Sequence, residues 1–464
     1  MKTSIIILTY NQLGVTKECI DSIYRHTHQD NMELIIIDNG STDGTVEYLE
    51  NISNIKTIFN TTNLGFAVGC NQGLKISTGD NILFLNNDTL VTENWLNNML
   101  SLLYSTEKIG MVGPVSNYVS GPQQIHVSYH HLSELDAFAE NYCKIHSREH
   151  QRVFRLVGFC LLVKKEVIHA IGGFDERFKM GSFEDDDLCL RALLHGYELH
   201  IAMDSFIHHI GHSTFTGNQE IDISALYREN YQKFKSKWNI DLTYFTYPRY
   251  DIVNLIREDD KKILDIGCGA GATGLALINR RDCELHGVET HPIAASIAQN
   301  HYKQVHGADI EQFQLPYPKN YFDVIIFADV LEHLKEPQKV ILRIAPYLRP
   351  GGTLVCSIPN IMHAEALLPL LMGYWNYVSA GILDRTHLRF FTPLTVHTLF
   401  PPDIFQITHR SYNYIAIEEK VSDFFNEVSM IANKYNFSMH LLPEYTKIYQ
   451  MLMVVEKKQN TTEE

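Results

Sequence analysis

What the 464-residue chain lacks narrows the reading first. No stretch approaches the ~20 consecutive apolar residues that a membrane-spanning helix needs. The opening MKTSIIILTYN carries one Lys and an apolar run too short for a signal-peptide core. No two cysteines are spaced C-x-x-C. The eight present (Cys19, Cys70, Cys143, Cys160, Cys189, Cys268, Cys283 and Cys356) are scattered, which predicts reduced thiols rather than a disulfide frame or a zinc site. A cytoplasmic setting follows as the expectation, with peripheral contact at the inner face of a membrane left open. Positive charge is in deficit, and a net charge of −15 argues against a nucleic-acid partner, which would need a basic face. Low-complexity tracts and internal repeats are also missing. The remaining composition, 45% hydrophobic and 20% charged, is that of a soluble globular protein too long for one ordinary core.

Short apolar runs bounded by turn residues recur: SIIILTYN, ELIIIDNGSTDGT, KTIFN and NILFLNNDT. Their strand length and their alternation with amphipathic segments predict parallel α/β units. A second series opens with KKILDIGCGAGATG and continues through ELHGVE, YFDVIIFADV and GGTLVCSIPN. Between the two lies ALYRENYQKFKSKWNIDLTYFTYPRY, a Lys- and Tyr-rich helical stretch that ends in aromatics and Pro248. A boundary near Asp241 is expected, giving two α/β domains, 1–240 and 241–464. Each opens with its own buried strand feeding a ligand loop.

In open α/β sheets, ligands sit beyond the carboxyl ends of the strands. That rule gathers Thr9, Tyr10 and Asn11, then Asp38, then Asn86, Asn87 and Asp88 toward one crevice. A carboxylate there can accept the imide N–H of a pyrimidine or hold a divalent cation on a diphosphate. Taken singly, Asp38 or Asp88 is as well explained as a turn cap. NLGFAVGCNQGL, with Asn63 and Gly65 near its head, supplies small residues where a backbone could approach a ligand.

With IGGFDERF and FEDDDLCLRALLHGY, this ordered set from about Ser4 to Trp238 resembles glycosyltransferase family 2, the inverting enzymes of the GT-A, Rossmann-like fold. The resemblance implies that Asp38 contacts the donor base. It makes Asn86-Asn87-Asp88 the counterpart of the D-x-D motif, with Asp88 on Mg²⁺ or Mn²⁺. Asn86 replaces the first Asp, a variant of rhamnosyltransferase-like members. FEDDDLCLR matches E-D-x-D-L: Asp185 is the implied base for the acceptor hydroxyl, and Glu184 orients the acceptor or is the runner-up. Asp187 is expected to cap the following helix, and Asp186 to be an exposed charge. Among the histidines of FIHHIGHST, His208 aligns best with the family's metal-completing position. His209 and His212 are lesser candidates, and a structural role competes for each.

In the second half, Asp265, Gly267, Gly269 and Gly271 form D-x-G-x-G-x-G at a strand-to-helix turn, where a ligand can approach the backbone. Glu289 ends the next strand, about where a ribose-binding acid is expected, and Asp309 follows in HGADIEQF. A nicotinamide-dinucleotide reading competes, but the loop lacks G-x-G-x-x-G spacing. The order of motifs from about Tyr247 to Val455 resembles class I S-adenosylmethionine-dependent methyltransferases. That resemblance implies the three glycines at the cofactor's amino-acid part, Glu289 on its ribose and Asp309 by its adenine amine.

If DVLEH begins a helix, Asp329, Glu332 and His333 share one face. That face could line the cofactor, provide a base through His333, or hold a metal, as a comparable E-x-x-E-H does in some quinone O-methyltransferases. Downstream, Asp384, Arg385, His387 and Arg389 in DRTHLRFF resemble an acceptor-side segment with His387 a candidate base. A salt-bridged loop closing the core is an equal reading. The tail KKQNTTEE is expected to be disordered.

These readings converge on a bifunctional enzyme of glycan biosynthesis. A nucleoside-diphosphate sugar would donate to a glycan or lipid-linked glycan, and S-adenosylmethionine would methylate a sugar of the same glycan, as in surface polysaccharide or glycoprotein glycan pathways. The rival is a methyltransferase for a non-carbohydrate acceptor whose front half only binds glycan.

Overall fold

The computed structural model describes residues 1–211, 222–240 and 246–459. His212 and the last residues of the tail lie outside them. The chain divides into two compact α/β units, Met1–Thr246 and Tyr247–Glu464. No helix among the described residues is long and apolar enough to cross a membrane.

The front unit is built on one mixed sheet. Its strands are β1 (Thr3–Thr9), β2 (Met32–Asp38), β3 (Ile55–Phe59), β4 (Asn81–Asn86), β5 (Thr89–Val91), β6 (Ile109–Ser116), β7 (His150–Val153), β8 (Cys160–Lys164) and β9 (Glu198–His209). They run in the order β3-β2-β1-β4-β8-β6-β9-β5, with β7 also on β9. The first four are parallel, and the register Thr9↔Asp38 and Leu8↔Asn86 brings their carboxyl ends to one edge. Ile5, Ile6, Ile7, Ile35, Ile36 and Ile37 are fully buried, so these strands are apolar on both faces, as parallel sheets covered by helices require. The helix Phe66–Ile76 lies unusually close to β1. A Cβ on Gly69 would stand 2.2 Å from Leu8 Cδ1, and one on Gly73 2.6 Å from Ile6 Cγ2. Two glycines of NLGFAVGCNQGL thus serve helix–sheet packing rather than a ligand.

The rear unit has a seven-stranded sheet in the order β12-β11-β10-β13-β14-β16-β15. Its members are β10 (Lys262–Ile266), β11 (Glu284–Glu289), β12 (Gln304–Gly307), β13 (Phe322–Ala328), β14 (Leu348–Pro359), β15 (Phe405–Tyr414) and β16 (Ile448–Lys457). The first five strands are parallel, and β16 joins antiparallel between β14 and β15. Gly267, Gly269 and Gly271 follow β10 with φ of +70°, +56° and +88°, a region open mainly to glycine. A Cβ on Gly267 or Gly271 would meet Val330 or His301 at 2.5 Å.

Candidate active sites

At the front unit's carboxyl edge, Asp38 is fully buried. Its Oδ2 accepts from Gly40 N (3.0 Å) and Ser41 N (2.9 Å). Its Oδ1, also buried, has no hydrogen-bond partner among the described residues. Leaving such an acceptor unmade costs ~1–3 kcal/mol, so this oxygen is suited to a ligand N–H. The surrounding loops are latched together. Asn11 Oδ1 accepts from Thr42 N at 2.8 Å, and Ser41 Oγ from Asn11 N at 2.7 Å. Asn63 Oδ1 accepts from Gly65 N and Asn39 Nδ2, at 2.9 and 3.1 Å. Thr9 and Asn87 are buried around Thr16, with Asn87 Nδ2 donating to Thr16 Oγ1 at 3.0 Å and Thr9 Oγ1 3.0 Å from the same hydroxyl. These groups brace the crevice. Gly65 does likewise: at φ +87° it abuts other backbone, and a Cβ would stand 2.3 Å from Lys179 O.

The histidine beside Asp88 is His209, not the expected His208. His209 Nε2 lies 3.1 Å from Asp88 Oδ1, its Nδ1 2.8 Å from the Tyr118 carbonyl, and its ring stacks on Phe159. Successive side chains of a strand point to opposite faces. His208 accordingly turns away, with Nδ1 2.5 Å from Tyr129 Oη. Burial alone would lower the His209 pKa, but the Asp88 hydrogen bond and charge, with the Tyr118 carbonyl, raise it overall. Burial, then the neighbouring His209, lowers that of His208.

All four carboxylates of FEDDDLCLR are buried in the first turn of the helix Glu184–Leu194. Asp186 is therefore not an exposed charge. It is 4% exposed and pairs with Arg155, which also donates to Ser120 Oγ at 2.8 Å. Burial and the Asp185 charge, offset by Arg155, push Asp186 up to about 7. Asp187 does not cap the helix either: it accepts from Arg191 Nε and Trp238 Nε1, both at 2.9 Å, and Lys237 Nζ lies 2.5 Å away.

Asp185 Oδ2 accepts from Gly158 N at 2.9 Å and Oδ1 from Asp186 N at 2.9 Å. The next residue, Phe159, stacks on His209 and accepts from Asn86 N at 2.8 Å. Gly158–Phe159 therefore joins the acidic turn to the Asn86-Asn87-Asp88 segment. Glu184 Oε2 is buried with no hydrogen-bond partner among the described residues, and burial, then the Asp185 charge, raises its pKa well above the usual carboxylate range.

In the rear unit, Glu289 Oε2 accepts from Gly269 N (2.8 Å) and Oε1 from His291 N (2.7 Å). This places Glu289 against the glycine loop. Asp265 accepts from Tyr302 Oη at 2.7 Å, and burial, against that bond, pushes it up to about 7. Asp309 is exposed, its Oδ1 accepting from Glu311 N at 2.9 Å.

DVLEH is not an α-helix. Asp329 takes φ +56°, and Leu331–His333 forms a single 3₁₀ turn. Asp329 consequently leaves the expected face and pairs with Arg249 and Ser357. His387 takes its place: ligand atoms of Glu332, His333 and His387 all lie within 4.8 Å of one another. Glu332 is 1% exposed and neither carboxyl oxygen has a hydrogen-bond partner among the described residues. Its backbone carbonyl accepts from Leu388 N (2.8 Å) and Arg389 N (3.0 Å), which docks DRTHLRFF here. His387 Nδ1 lies 2.9 Å from the Ile382 carbonyl, which leaves Nε2 as its free lone pair. Asp384 folds back on Thr386, and Arg389 donates to the Lys335 and Leu388 carbonyls.

Sequence reasoning ranked His209 too low and missed Arg155 and Arg249. Strand alternation in SFIHH carried a signal for His209; the arginines sit in unremarkable local sequence.

Two α/β units each gather polar groups at the carboxyl edge of parallel strands, where α/β folds bind ligands. Residues 4–172 match the family described as Glycosyl transferase family 2, and residues 244–401 the one described as Methyltransferase domain. Along the chain a glycosyltransferase family 2 match is thus followed by a methyltransferase-domain match.

An uncharacterized protein of Sinorhizobium fredii is 28% identical over 210 residues, 42% of this chain and 23% of that protein. An uncharacterized glycosyltransferase of Haemophilus influenzae is 34% identical over 114 residues, 24% of this chain and 35% of its own. A ubiquinone biosynthesis O-methyltransferase of Acinetobacter baylyi is 28% identical over 175 residues, 31% of this chain and 73% of its own. The chain thus spans well under half the length of the first two relatives.

Proposed function

We propose that the front unit transfers a sugar, with inversion, from a nucleoside-diphosphate sugar to a hydroxyl of a glycan or lipid-linked glycan. The observation that carries this reading is the joining of Asp88, His209 and Asp185 through Gly158–Phe159. The unpartnered Asp38 Oδ1 supports a donor base bearing an N–H. Mg²⁺ or Mn²⁺ fits the donor set: Asp88 offers a carboxylate, and His209, with Nδ1 committed to Tyr118, offers Nε2. Such an ion, when bound, stabilises the leaving diphosphate. Asp185, steadied by two backbone N–H groups, takes the acceptor proton, and Glu184, kept protonated by burial, orients the acceptor by a hydrogen bond. Nucleoside-diphosphate release by the purified chain across a donor screen with either cation tests the reading. Unchanged release by both Asp88→Ala and Asp185→Asn would reduce the front unit to a glycan-recognition module.

The rear unit, on this reading, methylates a hydroxyl of the same glycan from S-adenosylmethionine, which when bound supplies the methyl group. The left-handed glycine loop, with Glu289 held against it, supports this: Glu289 would take the ribose hydroxyls, and the exposed Asp309 the adenine amine. His387 Nε2 accepts the acceptor's proton, and His333, kept neutral by burial and its neighbour His387, lies beside it. A gain of one methyl on sugar fragments in mass spectra supports this, and a methyl on any other molecule transfers the reading to a non-carbohydrate acceptor. A second reading has its own observation, the Glu332–His333–His387 cluster, which could hold a cation. Under it EDTA abolishes methyl transfer; under the His387-base reading EDTA leaves it unchanged.

A further inference from the structure

Gly381 lies one residue before Ile382, whose carbonyl stands 2.9 Å from His387 Nδ1. It takes φ +97°, and a Cβ there would come within 3.4 Å of both Glu365 Oε1 and Tyr449 Oη. Two polar groups from different elements therefore converge on the turn that positions the candidate base. Glu365 belongs to the first turn of the helix Ala364–Leu371, and its side chain is exposed. Tyr449, in β16, sits just past the Pro359↔Gln450 pair, at the carboxyl edge of β14.

Aromatic rings stand beside them. Ala366, Ile382 and Leu383 form a small buried cluster on which both Tyr449 and Phe390 pack. Trp375 meets Phe390 edge-on, with ring centroids 5.5 Å apart, and Tyr377 lies 6.3 Å from Trp375 at a right angle. The chain that follows is pinned to the His387 segment: Val378 N donates to Leu383 O and Arg385 N to Val378 O, both at 3.0 Å. Even so, Trp375 keeps 37% of its surface in solvent. The other two tryptophans are committed elsewhere, Trp95 in the core and Trp238 on Asp187. An open indole thus shares one face of the rear unit with a carboxylate and a phenol.

A pyranose carries the complementary features. The polarised C–H groups of one face suit the electron-rich face of an indole. Its vicinal hydroxyls can donate to the two oxygens of a single carboxylate. A flat apolar acceptor has no such donors for Glu365, and an anionic membrane surface gains nothing from a carboxylate.

We propose that Trp375, Glu365 and Tyr449 form the acceptor-sugar subsite of the rear unit. The indole lies under the C–H face of a pyranose, while the Glu365 carboxylate and the Tyr449 hydroxyl hold its hydroxyls and present one of them to His387. This rests on the reading that the rear unit methylates a sugar hydroxyl, and it gives a role to three residues which that reading leaves unused.

Saturation-transfer NMR on the full chain, with the methyl glycosides of glucose, galactose, mannose and rhamnose as probes, tests the assignment. At least one glycoside is expected to bind, with the strongest transfer to the C–H protons of one face. Trp375→Ala and Glu365→Ala should each weaken it by about 10-fold, and Tyr449→Phe by about 3-fold. Trp375→Phe, which keeps a ring against Phe390, should weaken it less than Trp375→Ala. Urea unfolding followed by circular dichroism reports that each variant is folded. Absence of binding to all four probes, or binding that Trp375→Ala and Glu365→Ala leave unchanged, overturns the subsite. Methyl transfer to a saccharide whose KM ignores both substitutions overturns the subsite and leaves the methyl-transfer reading standing. Ring-dependent glycoside binding with no methyl gained by any saccharide supports the subsite and overturns that reading instead.

Discussion

The two units bury acidic groups in opposite ways. In the front unit three buried carboxylates near the crevice have a cation beside them: Asp88 with His209, Asp186 with Arg155, and Asp187 with Arg191 and Lys237. In the rear unit Glu332 is just as buried but has no hydrogen-bond partner among the described residues and sits by two imidazoles. A buried ionised carboxylate is costly unless paired. Burial accordingly raises the Glu332 pKa well above its usual range, with the Asp329 charge adding to it. On the proposed reading, the paired carboxylates keep negative charge in the front crevice where a cation would meet a diphosphate, whereas the Glu332 pocket keeps its carboxyl group neutral beside two imidazoles.

That contrast can be broken most sharply by separating the two chemistries in one preparation. Asp185→Asn should lower sugar transfer by about 10²–10⁴-fold and leave methyl incorporation from labelled S-adenosylmethionine intact. His387→Ala should do the reverse, with a methyl-transfer loss in the same broad range. If either substitution depressed both activities alike, the two sites would not be separate. Next in size is a stability effect: Arg155→Met leaves Asp186 buried without its cation, and breaking such a pair costs about 3–5 kcal/mol. Urea unfolding should show the loss, and restoring it in Arg155→Met/Asp186→Asn would confirm its origin.

A smaller effect concerns pH. Asp265 has its folded pKa raised from 3.8 to about 7, so the folded state holds a proton the unfolded state releases. Its contribution is therefore intact below the unfolded pKa and lost as pH climbs from about 4 to about 7. Asp265→Asn should flatten that part of the stability–pH curve, measured by urea unfolding; an unchanged slope would contradict the assignment. Smallest is the Asp88–His209 pair. The raised His209 pKa means its stabilisation is full at low pH and fades as pH rises through that value, and His209→Gln should remove this dependence.

Much of both folds was legible because the signals are local. ELIIIDNGSTDGT, NILFLNNDT and KKILDIGCGAGATG each hold a buried strand and the turn that follows it, so Asp38, Asp88 and the glycine loop could be set at strand ends without coordinates. What escaped depends on partners far along the chain. Asp186 was read as an exposed charge because Arg155, 31 positions before it, carries no local mark. The DVLEH face was drawn for an α-helix, and the left-handed turn at Asp329 exchanged that residue for His387, supplied by a segment some fifty residues later. FIHH shows that even a local signal can be misread: family spacing favoured one histidine, and the pleat of the strand presented the other.

The close approach of Gly65 to Lys179 carries a consequence for how this crevice can change. The turn after β3 and the turn leading into the acidic helix touch backbone to backbone, with no room for one more carbon. On the proposed reading these turns are the donor wall and the acceptor wall of the crevice, pressed together like the two leaves of a mortised joint. A methyl group inserted by Gly65→Ala would wedge them apart and misalign both substrates at once, although residue 65 need never touch either.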